Sequence, residues 1–204
     1  MRSAMLVALA VGLAVAGCDS RPQESRTPNT TNPATPAPSS AMPPSTSSAP
    51  AASGAATAAA KDPATFVDKA GRAGAFEVEA SKLAQQKATS AEVKSYATRI
   101  VDDHTRAADE LKQAAGGLAV PAEPSADQRA KIDALKGKSG TDFDRTYVNE
   151  VGVAAHEEAV ALFEDYARNG SDASLKAFAD KTVPTLRDHL TMAKDLAGKI
   201  VASK

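Results

Sequence analysis

The sequence predicts an all-α fold, a four-helix bundle built from two repeated helical hairpins and preceded by an export signal and a disordered tether. Three observations carry this. Apolar residues recur at alternating spacings of four and three, which keeps them on one face of a helix. The composition is 43% hydrophobic but only 4% aromatic, with no tryptophan, which suits closely packed helices rich in alanine, the best helix former. The two halves of the folded part also repeat one another, and neither hairpin hides its apolar stripe without the other.

Residues 1–17 have the three-part layout of an export signal. Met1-Arg2 is a short positive start, and Ala4 to Ala16 is an almost unbroken apolar run, too short to span a bilayer comfortably. The closing residues Val15-Ala16-Gly17-Cys18 resemble a bacterial lipobox, which implies cleavage before Cys18 and diacylglyceryl attachment to its sulfur. Cys18 is the sole cysteine and cannot make an internal disulfide, so lipidation explains its position better than redox chemistry. The expected location is the bacterial cell envelope, facing the periplasm, with the membrane as partner through the lipid on Cys18. Asp19 resembles an inner-membrane retention signal, and the choice between inner and outer membrane stays open.

Residues 18–61 are dominated by Pro, Ser, Thr and Ala, with Met42 as the one large apolar residue, so they bury too little surface to offset the entropy of ordering. Eight of the twelve prolines, from Pro22 to Pro50, fall within this tether and stiffen it toward extended polyproline. About 40 residues at ~3.1 Å each reach on the order of 100 Å.

The folded domain spans 62–204. Asp62 and Pro63 supply an N-cap and first-turn proline for a helix running to about Ala88, with the seam Phe66, Ala70, Ala73, Glu77, Ala80 and Ala84. Thr89 with Glu92 reads as a capping box opening a second helix, whose seam is Val93, Ala97, Ile100, His104, Ala107, Leu111 and Ala114 and whose end is Gly116-Gly117. A polar connection from Leu118 to Gly140 carries one short helix, Ala126 to Lys136, capped by Ser125 and Gln128. The third long helix follows Thr141 and runs to Asn169, with Gly170 as its turn. His156 and Glu158 lie on opposite shoulders of its stripe Val148, Val151, Ala155, Ala159, Leu162 and Tyr166, and periodicity does not choose which turns inward. The fourth starts at Ser171 or Asp172, has the seam Leu175, Ala179, Thr182, Leu186, His189, Ala193, Leu196 and Ile200, and contains Pro184, which should kink it.

The repeat pairs Phe66-Val67 and Gly71 with Tyr147-Val148 and Gly152 at a spacing of 81. It continues with Val93–Ala97 against Leu175–Ala179 at 82, and with Asp103-His104 against Asp188-His189 at 85. At the first spacing Glu77 pairs with Glu158, so each half offers a Glu on its first helix and a His on its second. Counting from the first turn at ~1.5 Å per residue brings Glu77 and His104 to within roughly 3 Å in height, whereas Glu158 and His189 differ by nearer ~10 Å.

Residues 61–204 hold 21 Lys and Arg against 23 Asp and Glu, so no positive field attracts nucleic acid. There is no Gly-rich phosphate loop, no Cys cluster, and no nucleophile with a base and an orienting acid. Asp102 and Asp103 point to different faces from His104, which argues against an acid–base relay there. The chemistry that remains is metal binding. A Glu and a His from each of two hairpins form a reduced version of the carboxylate-bridged di-metal site, whose full version has a Glu three residues before each His. Val101 and Leu186 stand at those positions, so a single site is expected. It would hold one Fe, Zn, Cu or Ni ion through Glu77, His104, His189 and either His156 or Glu158. The competing reading is a polar core that only fixes the register of the bundle, in a non-catalytic envelope interaction or stress protein with an unidentified protein partner.

The chain resembles a known family in Glu77 of an Ala-rich helix, Ala84-Gln85-Gln86-Lys87-Ala88, Val101-Asp102-Asp103-His104-Thr105, Gly140-Thr141-Asp142-Phe143-Asp144-Arg145 with Tyr147-Val148, His156, and Pro184 with Asp188-His189-Leu190. It is similar over residues 62–200 to the DUF4142 family of exported bacterial proteins of unknown function, often labelled predicted outer membrane proteins. The resemblance implies a ferritin-like bundle in which the connection between the second and third long helices crosses from one end to the other. The connection is long enough for that crossing, and its length alone does not rule out simple up-down-up-down order. The resemblance implies no activity, so catalysis stays open, and the residues point to binding more than to a reaction.

Overall fold

The computed structural model describes residues 61–202. The export signal 1–17, Cys18 and the tether up to residue 60 lie outside the described residues. Every regular element described is helical: α1 Pro63–Lys87, α2 Ala91–Ala114, α3 Ala126–Lys136, α4 Gly140–Tyr147, a π-helical segment Val148–Ala155, α5 His156–Asn169 and α6 Ala173–Ala202. The elements α4, π segment and α5 run on without a break and form the third long helix. Among the described residues no helix is long and apolar enough to cross a membrane.

Local chemistry sets most of the boundaries. The Asp62 carboxylate accepts from the backbone N–H of Thr65, and Pro63 fills the first turn, where its missing N–H costs nothing. Ser125 and Gln128 form the reciprocal capping box of α3. Gly116 and Gly117 stop α2 at φ of 59° and 98°, a region that side chains disfavour.

The α1–α2 turn differs from the expected Thr89–Glu92 capping box. Ser90 is the N-cap of α2, and Thr89 is drawn away to Asp144 at the start of the third long helix. The buried Asp144 carboxylate accepts from Thr89 N–H at 3.0 Å, Thr89 Oγ1 at 2.6 Å and Ser90 N–H at 2.8 Å. A tertiary carboxylate that accepts from two backbone donors and a hydroxyl outcompetes the local Glu92, because hydrogen bonds to an ionised acceptor are the stronger kind.

Two apolar clusters fix the relative directions of the helices. One joins the C-terminal part of α1 (Phe76, Ala80, Ala84), the N-terminal part of α2 (Val93, Tyr96, Ile100), the start of the third long helix (Phe143, Tyr147, Val151) and the end of α6 (Ala193, Leu196). The other joins the start of α1 (Phe66, Val67), the end of α2 (Leu111), the end of α5 (Phe163, Tyr166) and the start of α6 (Leu175, Phe178). Thus α2 and the third long helix run in the same direction, and α1 and α6 run opposite to both. Helix α1 packs on α2 and on α5, while α6 packs on α2, the π segment and α5. The connection after α2 therefore travels the length of the helices. It passes Gly71, where an added Cβ would lie 2.9 Å from Pro121 Cδ, and ends with Ile132 and Leu135 of α3 in the first cluster.

The third long helix departs most from expectation. From Tyr147 on, its buried positions are Tyr147, Val148, Val151, Gly152, His156, Ala159, Phe163 and Tyr166, so His156 and Phe163 stand where Ala155 and Leu162 were expected. The wider turns of the π segment insert one residue into the register. Downstream, the repeat spacing becomes 82: buried Ser81 and Ala84 correspond to buried Phe163 and Tyr166, and Glu77 corresponds to Ala159. Pro184 lies on the exposed side of α6, within a helix that continues past it.

Candidate metal centre

One residue from each long helix meets at the level between the two clusters: Glu77 from α1, His104 from α2, His156 at the start of α5 and His189 from α6. Glu77 is 1% exposed, His104 7%, and His156 and His189 are fully buried. The three imidazoles form a near-equilateral triangle with all ring centroids 5.4 Å apart. One ligating atom of each lies within 4.8 Å of the others.

Each ring is held by one nitrogen and has the other unpartnered. His104 Nδ1 lies 2.9 Å from Glu77 Oε2. His156 Nδ1–H donates to the Val151 carbonyl at 2.9 Å, the backbone oxygen five residues back that the wide π turn presents to it. His189 Nε2–H donates to Asp103 Oδ2 at 2.9 Å. The buried nitrogens left without a partner are His104 Nε2, His156 Nε2 and His189 Nδ1. Three clustered imidazoles, each oriented by a carboxylate or a carbonyl on one nitrogen and with the other nitrogen unpartnered, have the arrangement of a histidine metal site and its supporting shell.

Electrostatics favour the same protonation pattern at two of the three rings. Burial pushes His156 below the usual histidine range, and Glu77 offsets only part of this. Burial likewise pushes His189 down to about 4, despite the hydrogen bond to Asp103. Both rings are therefore neutral near pH 7 and have a lone pair to offer. Burial also disfavours charge on His104 and Glu77, but they face each other as an ion pair. Glu77, and more weakly Asp103, raises His104, while His104, His156 and His189 lower Glu77. Asp103, despite the opposing effect of burial, is held below its usual value by His189, Arg106 and Arg99.

Of the residues expected at the site, the structure brings together Glu77, His104, His156 and His189. It does not bring Glu158, which is exposed beside Leu162 and Asp165 on the outer side of α5. The physical reason is the π segment, whose extra residue turns His156 inward and Glu158 outward. Glu77 supports His104 through Oε2, and its Oε1 lies 3.4 Å from His156 Nδ1. Asp103, set aside in the sequence as pointing away from His104, does point away from it, and it reaches His189 on the neighbouring helix instead. The signal that marks it is its half-buried place at the edge of the α2 seam, on the side that α6 covers.

A family model described as a domain of unknown function, DUF4142, matches residues 48–196. No curated protein and no solved structure matches the chain.

Proposed function

The chain belongs to the DUF4142 family, and from that membership and the three converging imidazoles we propose a cell-envelope protein whose helical domain, a ferritin-like four-helix bundle, binds one divalent transition-metal ion. The observation that carries this reading is the set of three unpartnered, buried ring nitrogens on His104, His156 and His189. Metal–nitrogen distances near ~2.0–2.1 Å require ligands of one ion to lie no more than about 4.2 Å apart, so a small closing of the 4.8 Å cluster suffices. With all three rings neutral, the buried Glu77 carboxylate offsets part of the charge of the ion; Asp103 adds less, because Arg99 and Arg106 already pair with it. An all-nitrogen donor set suits Zn, Cu, Ni or Fe and disfavours Mg and Ca, which take oxygen ligands.

The purified protein is expected to bind one such ion per chain. Glu77→Gln and Asp103→Asn should each weaken it by roughly 10–100-fold, the usual effect of removing an orienting carboxylate. Metal analysis and competitive titration with Fe, Zn, Cu and Ni read this directly. Wild type without stoichiometric metal would leave the second reading, a purely structural polar core. That reading is favoured by the Glu77–His104 ion pair, which already satisfies both charges in the absence of an ion.

The envelope address rests on the export-signal layout and the lone Cys18. A Cys18→Ser variant is expected to move the protein from the membrane fraction to the soluble envelope fraction, as followed by fractionation and the loss of lipid mass. Equal membrane retention in both forms would remove the lipid anchor from the proposal.

A further inference from the structure

A cavity of about 40 Å³ lies beside the centre and is lined by His104, His189 and Glu77, but not by His156. Its lining also includes Asp103, Gly74, Ala107 and Ala108. A cavity of this size holds about three waters at roughly 10–15 Å³ each, or one ligand of two or three heavy atoms. His104 and His189, which line it, each carry one unpartnered, buried nitrogen.

The repeat explains why the space exists. At the spacing of 82 that relates buried Glu77, Ser81 and Ala84 to Ala159, Phe163 and Tyr166, the counterpart of His156 is Gly74. One half of the domain thus places an imidazole against the centre, and the other half places no side chain there. A Cβ built on Gly74 meets nothing within 4 Å. Glycine inside a helix costs about 0.5–1 kcal/mol relative to alanine, a cost that no close contact at this site accounts for.

We propose that the metal centre has an open coordination position facing the cavity that Gly74 lines, which takes a small uncharged exogenous ligand, water at rest or a diatomic molecule such as nitric oxide. The inference rests on the metal reading above. The mostly apolar lining, with Ala107, Ala108 and Leu186, suits a small uncharged ligand, and the Glu77 carboxylate in the same lining repels an anion. A closed, purely structural site would instead supply a fourth protein ligand.

The test uses the purified protein loaded with Co(II), whose visible absorption reports coordination number. Anaerobic nitric oxide is expected to change the wild-type spectrum saturably, and imidazole, with five heavy atoms, is expected to bind at least roughly tenfold more weakly. Gly74→His should keep one Co(II) per chain, acquire a closed four-nitrogen spectrum and lose the nitric oxide response. Gly74→Val, which fills the space without adding a ligand, should keep Co(II) and lose the response as well. A wild-type spectrum indifferent to nitric oxide, imidazole binding as tightly as nitric oxide, or an unchanged response in a folded, Co(II)-loaded Gly74 variant would each overturn the open position while leaving the metal reading intact. Failure of wild type to bind Co(II) at all would overturn both.

Discussion

Replacing His156 or His189 with alanine is expected to lower the affinity for a divalent transition metal by at least about a hundredfold and up to several thousandfold. Structural zinc sites bind with roughly 10–16 kcal/mol, or about 3–5 kcal/mol per ligand, and each ~1.4 kcal/mol is a factor of ten. His104 behaves differently, because His104→Ala also strips Glu77 of its partner, and an uncompensated buried carboxylate costs about 3–5 kcal/mol. That variant should lose stability together with metal, whereas His104→Gln, which keeps a donor facing Glu77, should lose mainly metal. Competitive Zn(II) titration alongside urea unfolding separates the two losses. Unchanged affinity in folded His156→Ala and His189→Ala would show that the three rings do not share an ion.

The second large effect is the stabilisation by metal and its dependence on pH. Zinc at a hundredfold above its dissociation constant should add about 2.7 kcal/mol, or roughly 8–10 °C in Tm for a domain of this size. Binding needs all three rings neutral, so His104 must release the proton its ion pair holds, and the increment should vanish on acidification from about pH 7 to 5. The metal-free protein has its own sign. His156 and His189 are depressed below 6.5, so the unfolded chain binds more protons, and stability falls as pH drops from 6.5 towards the His189 value of about 4. His104 is raised, so its contribution is fully present below 6.5 and is lost as pH rises through its folded value. The Glu77 contribution is present above 4.5 and is lost as pH falls through its lowered value. Thermal unfolding from pH 8 to 4, with and without zinc, checks this. A zinc increment that is constant across that range would contradict imidazole ligation.

Much of this arrangement was legible in residue spacing, for a physical reason. Where a helix is regular, distance along the chain is angle around the axis, so Glu77, His104 and His189 could be placed in their seams and Glu77 matched to His104 in height. The third long helix broke that rule. Eight residues of wider winding shift every later side chain by one position, and no single residue from Val148 to Ala155 announces it. The trace it left was the change of repeat spacing from 81 to 82, with which Glu77 aligns to Ala159 and His156 to Gly74. The roles of Asp103 and Asp144 were hidden for another reason. Each acts on a different helix from its own, and single-helix periodicity carries no information about which neighbour a shoulder residue will meet.

The π segment also gives the centre a dependence that no ligand substitution would reveal. His156 is aimed by the count of backbone residues between Tyr147 and itself as much as by any side chain that touches it. Competence to hold a metal is therefore stored partly in chain length. Rewinding Val148–Ala155 to ordinary α-helical pitch would rotate His156 off the centre and release the Val151 carbonyl that orients its ring, while every donor atom remained in the sequence. Removing one residue from that segment is by itself enough to turn a chain that gathers three imidazoles into one that gathers two.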